Sequence, residues 1–264
     1  MSHVKLEWVD DVAVVTTANP PAELFDHGQI EGLVSAVEQA TEKRARAMVI
    51  QSNSPLFSGG ADVGLFLDKD RAGAREFLSE AMEAIWAIED APFPVVAAVN
   101  GLCYAAGLEL ALACDFIYAS DDAVFSQVEA LIGVTTFLGG AYRLAERCGP
   151  GIAREIVYTA GNYSAEQFAQ WHIVNRVVPL ADLHEEAHAV ARRIARGPAV
   201  AHGVTKRMIR HALTNDSRSA DSFVLDEATV VFETRDMQNA VTALLEQGAR
   251  KFRANHHEIV FEGR

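Results

Sequence analysis

Residues 94–120, PVVAAVNGLCYAAGLELALACDFIYAS, run through an apolar segment, a tight turn, a small-residue helical segment and a second apolar segment without a break. Val95 to Val99 read as a strand closed by the turn pair Asn100-Gly101. Tyr104 to Cys114 read as a helix, and Asp115 to Ser120 as the next strand. The same order stands upstream. Arg46 to Ser52 is a buried-strand pattern, FSGGADVGLF (57–66) is a glycine-bearing turn opening a helix-like segment, and residues 71–90 are helical. Two strand-to-helix units in succession predict a parallel sheet with crossover helices, hence an α/β fold.

Outward from this stretch, residues 5–18 read as a hairpin turning at Asp10-Asp11. NPPAELFD (19–26) reads as a loop, because adjacent prolines block helix and ladder alike. Ile30, Leu33, Val34 and Val37 recur at helical spacing between Gly28 and Glu42. Beyond Gly139 helices dominate, at 139–147, 150–159, 164–171, 182–196, 198–213 and 219–247, interrupted by one strand in VNRVVP (174–179). No repeat of fixed period is visible. Apolar positions on the long C-terminal helices predict self-association.

The 264 residues carry 36 acidic and 23 Lys or Arg side chains, a formal charge of −13, and half of them are hydrophobic. That balance supports a sizeable core and argues against a nucleic-acid or anionic-membrane surface. Cys103, Cys114 and Cys148 are odd in number and lack CxxC spacing, so neither a disulfide framework nor a zinc site is expected. The opening MSHVKLEWVD has no apolar signal core, and no apolar run is long enough to span a bilayer. The expectation is a cytoplasmic protein.

GxGxxG, GxxxxGK[ST] and GxSxG are all missing, which removes a phosphate-cradling loop and a serine nucleophile elbow from consideration. HEEAH (184–188) matches a short zinc-protease pattern, but its flanks are charged and no third ligand is apparent, so it reads as a solvated helix face. His256-His257 reads as surface, and Asp121-Asp122 as a turn.

Three pieces remain. Gly59-Gly60-Ala61-Asp62 and Ala105-Ala106-Gly107 are small-residue turns, each leading into a helical segment, where the first N–H groups lack partners. One N–H from each could converge on a single oxygen as an oxyanion hole, and a bulky side chain would block that approach. Glu109 stands among Ala105, Ala106, Leu112 and Ala113, and Glu129 between Val128 and Ala130. Each alone reads equally well as an exposed glutamate or a structural ion pair. Two carboxylates in weakly polar surroundings suit acid/base work, because burial raises their pKa towards neutrality.

FSGGAD, PVVAAVNGLCYAAGLELALACDF and AVFSQVEALIGV resemble, in order and spacing, the motifs of the enoyl-CoA hydratase/isomerase (crotonase) superfamily, and the likeness extends over nearly the whole chain. The resemblance implies an α/β spiral of ββα units over residues 1–196, followed by a helical oligomerisation region over 197–264 that forms homotrimers or dimers of trimers. It implies an acyl-CoA thioester substrate, with CoA as part of the substrate and no other cofactor. By position, Ala61 and Ala106 would supply the backbone donors, Glu109 would activate a water, and Glu129 would deliver a proton to the α-carbon. Gly60, Asp62, Gly107 and Phe137 would meet the substrate. The sequence departs from the family at Ala106, where glycine is common, and at Val128, where proline is common. Thr136-Phe137-Leu138 replaces a stretch that is commonly Pro-Gly-Ala and would reshape the acyl pocket. Phe25 stands where asparagine is usual, and Ala22 where a basic residue often meets CoA, which leaves Lys251 and Arg253 as candidates for the CoA phosphates. Both glutamates together favour 2-enoyl-CoA hydration. Isomerisation, thioester hydrolysis, decarboxylation and non-catalytic acyl-CoA binding remain as alternatives.

Overall fold

The computed structural model describes residues 3–263, apart from the side chain of His257; Met1 and Ser2 of the opening segment lie outside the described residues. The backbone of the fold is a six-stranded sheet. Its hairpin, β1 (Val4–Val9) and β2 (Val12–Thr17), turns at Asp10-Asp11 as expected. β4 (Ala47–Ser52), β6 (Val95–Val99), β8 (Phe116–Ser120) and β11 (Arg176–Val178) then follow β2 in parallel.

Every residue of β4 and β6 is buried, so Ala47–Ile50 and Val95–Val99 read as apolar runs rather than alternating ones, and β4 ends on the buried polar pair Gln51-Ser52. The alternation is still present, in what each residue faces. Met48, Ile50, Val95, Ala97 and Val99 join one core with α1 (His27–Glu42) and α2 (Arg71–Asp90). Ala47, Val49, Val96 and Ala98 join a second, under α6 (Leu183–Ala195).

A short second strand follows each of β2, β4, β6 and β8. These are β3 (Leu24–Phe25), β5 (Gly60–Ala61), β7 (Leu102–Tyr104) and β9 (Val124–Ser126). β3 pairs with β5, and β7 with β9. β9 also pairs with β10 (Tyr163–Ser164), which precedes α5 (Ala165–Gln170). With α1, α2, α3 (Ala106–Ala113) and α4 (Gly140–Thr159) these strands form a repeated ββα unit. The units open at Val12, Ala47, Val95 and Phe116, spaced too unevenly to leave a period in the sequence.

Four local readings are corrected. Leu24 and Phe25 of the proline loop form a strand, since the prolines end before it. Val63–Phe66 is a single 3₁₀ turn, capped by Asp62. Tyr104 belongs to β7 rather than to the helix, because Tyr104 N–H donates to Ser58 O and α3 starts at Ala106. The helix expected over 219–247 is broken into α8 (Ser217–Asp226), a 3₁₀ segment (Ala228–Glu233) and α9 (Arg235–Gln247), with Thr234 capping α9.

The C-terminal region starts at α7 (Ala199–Thr214) and ends after α10 (Ala249–Ala254). Lys206 moors it: the buried ammonium donates to Ile88 O, Phe93 O and Asp115 Oδ2. Among the described residues no helix is long and apolar enough to cross a membrane.

Candidate active site

All residues of α3 are buried, Glu109 included, at 2 % exposure. A carboxylate so placed needs partners. It has two on one oxygen: Leu138 N–H at 2.9 Å and Gly140 N–H at 2.8 Å both donate to Oε1. Those donors sit where the chain enters α4, and Arg143 braces the bend by donating to Leu138 O at 2.7 Å and to Glu89 at 2.7 Å.

Burial pushes the Glu109 pKa up to about 8; the Gly140 N–H opposes this, the nearby Glu129 carboxylate adds to it, and Leu138 N–H and Arg143 pull back. Glu129, 8 % exposed, opens a 3₁₀ turn closed by left-handed Gly133. Burial raises its pKa to about 6. Gln127, with its amide nitrogen turned to Glu129, donates to both carboxylate oxygens at 2.6 and 2.9 Å.

The two small-residue turns lie against each other. A Cβ on Gly60, whose φ is +107°, would stand 3.0 Å from the Ala105 methyl, and one on Gly107 would stand 2.4 Å from Ser58 Cβ. Glycine at both positions allows that approach. Asp62 N–H donates to Phe25 O across β3–β5. Successive N–H groups of an extended chain point to opposite sides, so that of Ala61 faces away from β3. Ala105 O accepts the N–H of Glu109 inside α3. In a trans peptide the next N–H points the opposite way, so that of Ala106 points out of the helix N-terminus. Ala106 itself is helical and tolerates its Cβ; the left-handed backbone falls one residue earlier, on Ala105, held at φ +46° and ψ −120°.

Ala61, Ala106, Glu109 and Glu129 line one cavity of about 80 Å³. Its remaining wall is largely apolar, including Phe25, Val134, Phe137 and Leu138. Phe66 stands edge-on to both Phe77 and Phe137, with centroids 6.0 and 5.9 Å away, and all three line the cavity.

The structure thus gathers the two glutamates, both alanines and Phe137. Gly60, Asp62 and Gly107 do not line the cavity: the glycines admit the neighbouring turn, and the Asp62 carboxylate accepts Gly64 N–H. Lys251 and Arg253 stand exposed on α10, away from the lining. His188 of HEEAH bonds Gln51 Oε1 at 2.8 Å, and among the described residues no three His, Cys, Asp or Glu side chains gather as a metal site. Sequence reasoning missed Gln127, Arg143 and Phe66. Gln127, a polar residue in an apolar run two before Glu129, carried a signal; Arg143, on a helix face of mixed character, carried none.

A family model described as enoyl-CoA hydratase/isomerase matches residues 7–255. The crotonyl-CoA hydratase of Syntrophomonas wolfei is 33 % identical over 95 % of this chain and 97 % of its own. The short-chain-enoyl-CoA hydratase of Clostridium acetobutylicum is 29 % identical over 94 % of this chain and 96 % of its own. Among solved structures, an enoyl-CoA hydratase subunit I from Geobacillus kaustophilus superposes with a TM-score of 0.90 at 28 % identity, covering 99 % of this chain and 98 % of that one.

Proposed function

The chain belongs to the enoyl-CoA hydratase/isomerase family, and on that premise we propose that it adds water across the double bond of short-chain 2-enoyl-CoA thioesters. The observation that carries the reading is the meeting of Glu109 and Glu129 in one small apolar cavity with the Ala61 and Ala106 backbones. The thioester oxygen takes the two N–H donors, which stabilise the enolate as it forms. A water lies between the carboxylates. Its oxygen bonds to the β-carbon while Glu109 takes its proton, and the π electrons move to the thioester oxygen. Glu129 then delivers a proton to the α-carbon, and the enolate collapses to the 3-hydroxyacyl thioester. Water, thioester and two carboxylates balance the atoms, so the reaction calls for no metal or redox cofactor.

Burial orders the two proton affinities so that between about 6 and about 8 the pair holds one proton, resting on Glu109. The proposed roles need that proton on Glu129, so the reacting form is the less populated of two arrangements carrying the same charge. The names of the relatives support a short acyl group.

The test follows conjugated-thioester absorbance with a four-carbon and an eight-carbon 2-enoyl-CoA. Turnover favouring the shorter, lost in Glu109→Ala and Glu129→Ala, supports the reading. Binding without turnover would replace it with another acyl-CoA chemistry of the family or with a binding role.

A further inference from the structure

The two donor turns meet on one side chain. Ser58 N–H donates to Leu102 O at 3.0 Å and Ser58 O accepts Tyr104 N–H at 2.9 Å. Ser58 is thereby stitched to β7, the strand that leads into Ala106. Its hydroxyl accepts Gly60 N–H at 3.1 Å, one residue before Ala61, and donates to Glu23 O at 2.7 Å. Its Cβ is also the surface on which the first turn of α3 rests, through Gly107. Ser58 is 3 % exposed, so water does not compete for these bonds. Glu23 is fixed in turn: wholly buried, it accepts Asn19 N–H at 2.9 Å and the Ser54 hydroxyl.

Gly60 has no Cβ to restrain it, and its φ of +107° is open to glycine over a wide range. The bond from its N–H to Ser58 Oγ limits the swing of the chain into Ala61. We propose that Ser58 is a positioning residue that sets the spacing of the Ala61 and Ala106 donors on the thioester oxygen. The inference rests on the oxyanion reading above. Donors act at 2.7–3.1 Å from the developing charge, and losing one costs roughly 10²–10³ in rate; a misplaced donor costs a fraction of that.

The experiment compares wild type, Ser58→Ala and Ser54→Ala, using the carbonyl stretch of bound butanoyl-CoA carrying ¹³C at the thioester carbon, beside kcat, KM and the thermal midpoint. In wild type the band lies below that of free ligand. In Ser58→Ala it returns part of the way, and kcat falls about 10- to 100-fold with KM within about threefold. Ser54→Ala removes a part-buried hydrogen bond to the Glu23 side chain, not to the Glu23 carbonyl that Ser58 uses, and leaves band and kcat unmoved. A Ser58→Ala band equal to wild type, with kcat retained, overturns the inference alone. An unshifted wild-type band overturns the oxyanion reading and this inference with it. Should Ser58→Ala not fold, Ser58→Cys keeps the bulk and weakens the acceptor: a band between wild type and free ligand supports the proposal, and an unmoved band sinks it.

Discussion

Gly140 donates its N–H to Glu109 Oε1 at 2.8 Å, and a methyl on Gly140 would lie 3.0 Å from Glu109 Cγ. Among the described residues the carboxylate is thus hydrogen-bonded by backbone alone, through an oxygen that an amide also possesses. Glu109→Gln should keep this clamp and lose only the proton chemistry. We expect kcat to fall by about 10²–10⁴, the usual range for a general acid or base, with KM little changed. A steady-state comparison on a four-carbon substrate decides it.

The same substitution should alter stability in a pH-dependent way. A carboxyl whose folded pKa is raised from 4.5 to about 8 favours the folded state fully below 4.5, and that contribution is lost as pH rises through 8. Glutamine has no such loss. Glu109→Gln should therefore match wild type near pH 4.5 and become more stable by up to about 5 kcal/mol above pH 8. Denaturant midpoints at both ends of that range give the answer; a constant offset would contradict the buried-charge account.

In the proposed mechanism the pair works with one proton, so kcat/KM should be bell-shaped. It should rise as the pair loses its first proton near 6 and fall as it loses the second near 8. Glu129→Gln leaves only the base, so it should abolish the falling limb along with most of the activity, the remainder rising as Glu109 loses its proton. A flat profile from acid to neutral pH, with chemistry limiting, would exclude the pair as the acid/base machinery.

Phe66, Phe77 and Phe137 wall the cavity edge to face, so chain length should be set there. Phe137→Ala should raise the eight-carbon to four-carbon ratio of kcat/KM about tenfold, since each newly buried methylene contributes about 0.8 kcal/mol. The ratio is read directly from the absorbance assay.

Leu225, Phe232 and Leu245 are 71, 66 and 78 % exposed on the C-terminal helical region, more apolar surface than an isolated chain needs to show. We expect sedimentation as a trimer or dimer of trimers, and dissociation by Leu245→Glu. We further propose that Lys251 and Arg253 meet CoA phosphates on a neighbouring copy. Replacing both by alanine should then weaken CoA binding severalfold at low salt only; unchanged affinity would remove them from the site.

The parallel sheet was legible because β4 opens on the apolar run Ala47–Ile50 and β6 is apolar throughout, each leading on to a glycine-bearing turn. Glu109 and Glu129 were legible for the opposite reason, as charges in apolar company. The short strands were not: two or three residues that pair only across units leave no periodicity, and Tyr104 reads as helix until its N–H is seen on Ser58 O. The break of the last long helix at Glu227–Thr234 was hidden as well, since VVF continues an apolar pattern that either helix type can use. Of the site's supports, Arg143 and the Leu138 and Gly140 N–H groups were beyond reach. Backbone donors carry no residue signature, and a brace is recognised only by what it touches.

Ala61 and Ala106 belong to different ββα units, whose principal strands β4 and β6 are neighbours in the sheet. No single ββα unit contains both alanines, so the proposed oxyanion hole cannot form within one unit. A growing chain passes through every intermediate length without a competent cavity, and one that has paired β4 but not yet added β6 has nothing with which to hold a thioester. Ligand affinity is therefore a report on completed topology: acyl-CoA should protect only molecules in which these units have already docked, and should act as a thermodynamic reward for the final assembly step rather than as a template for the earlier ones.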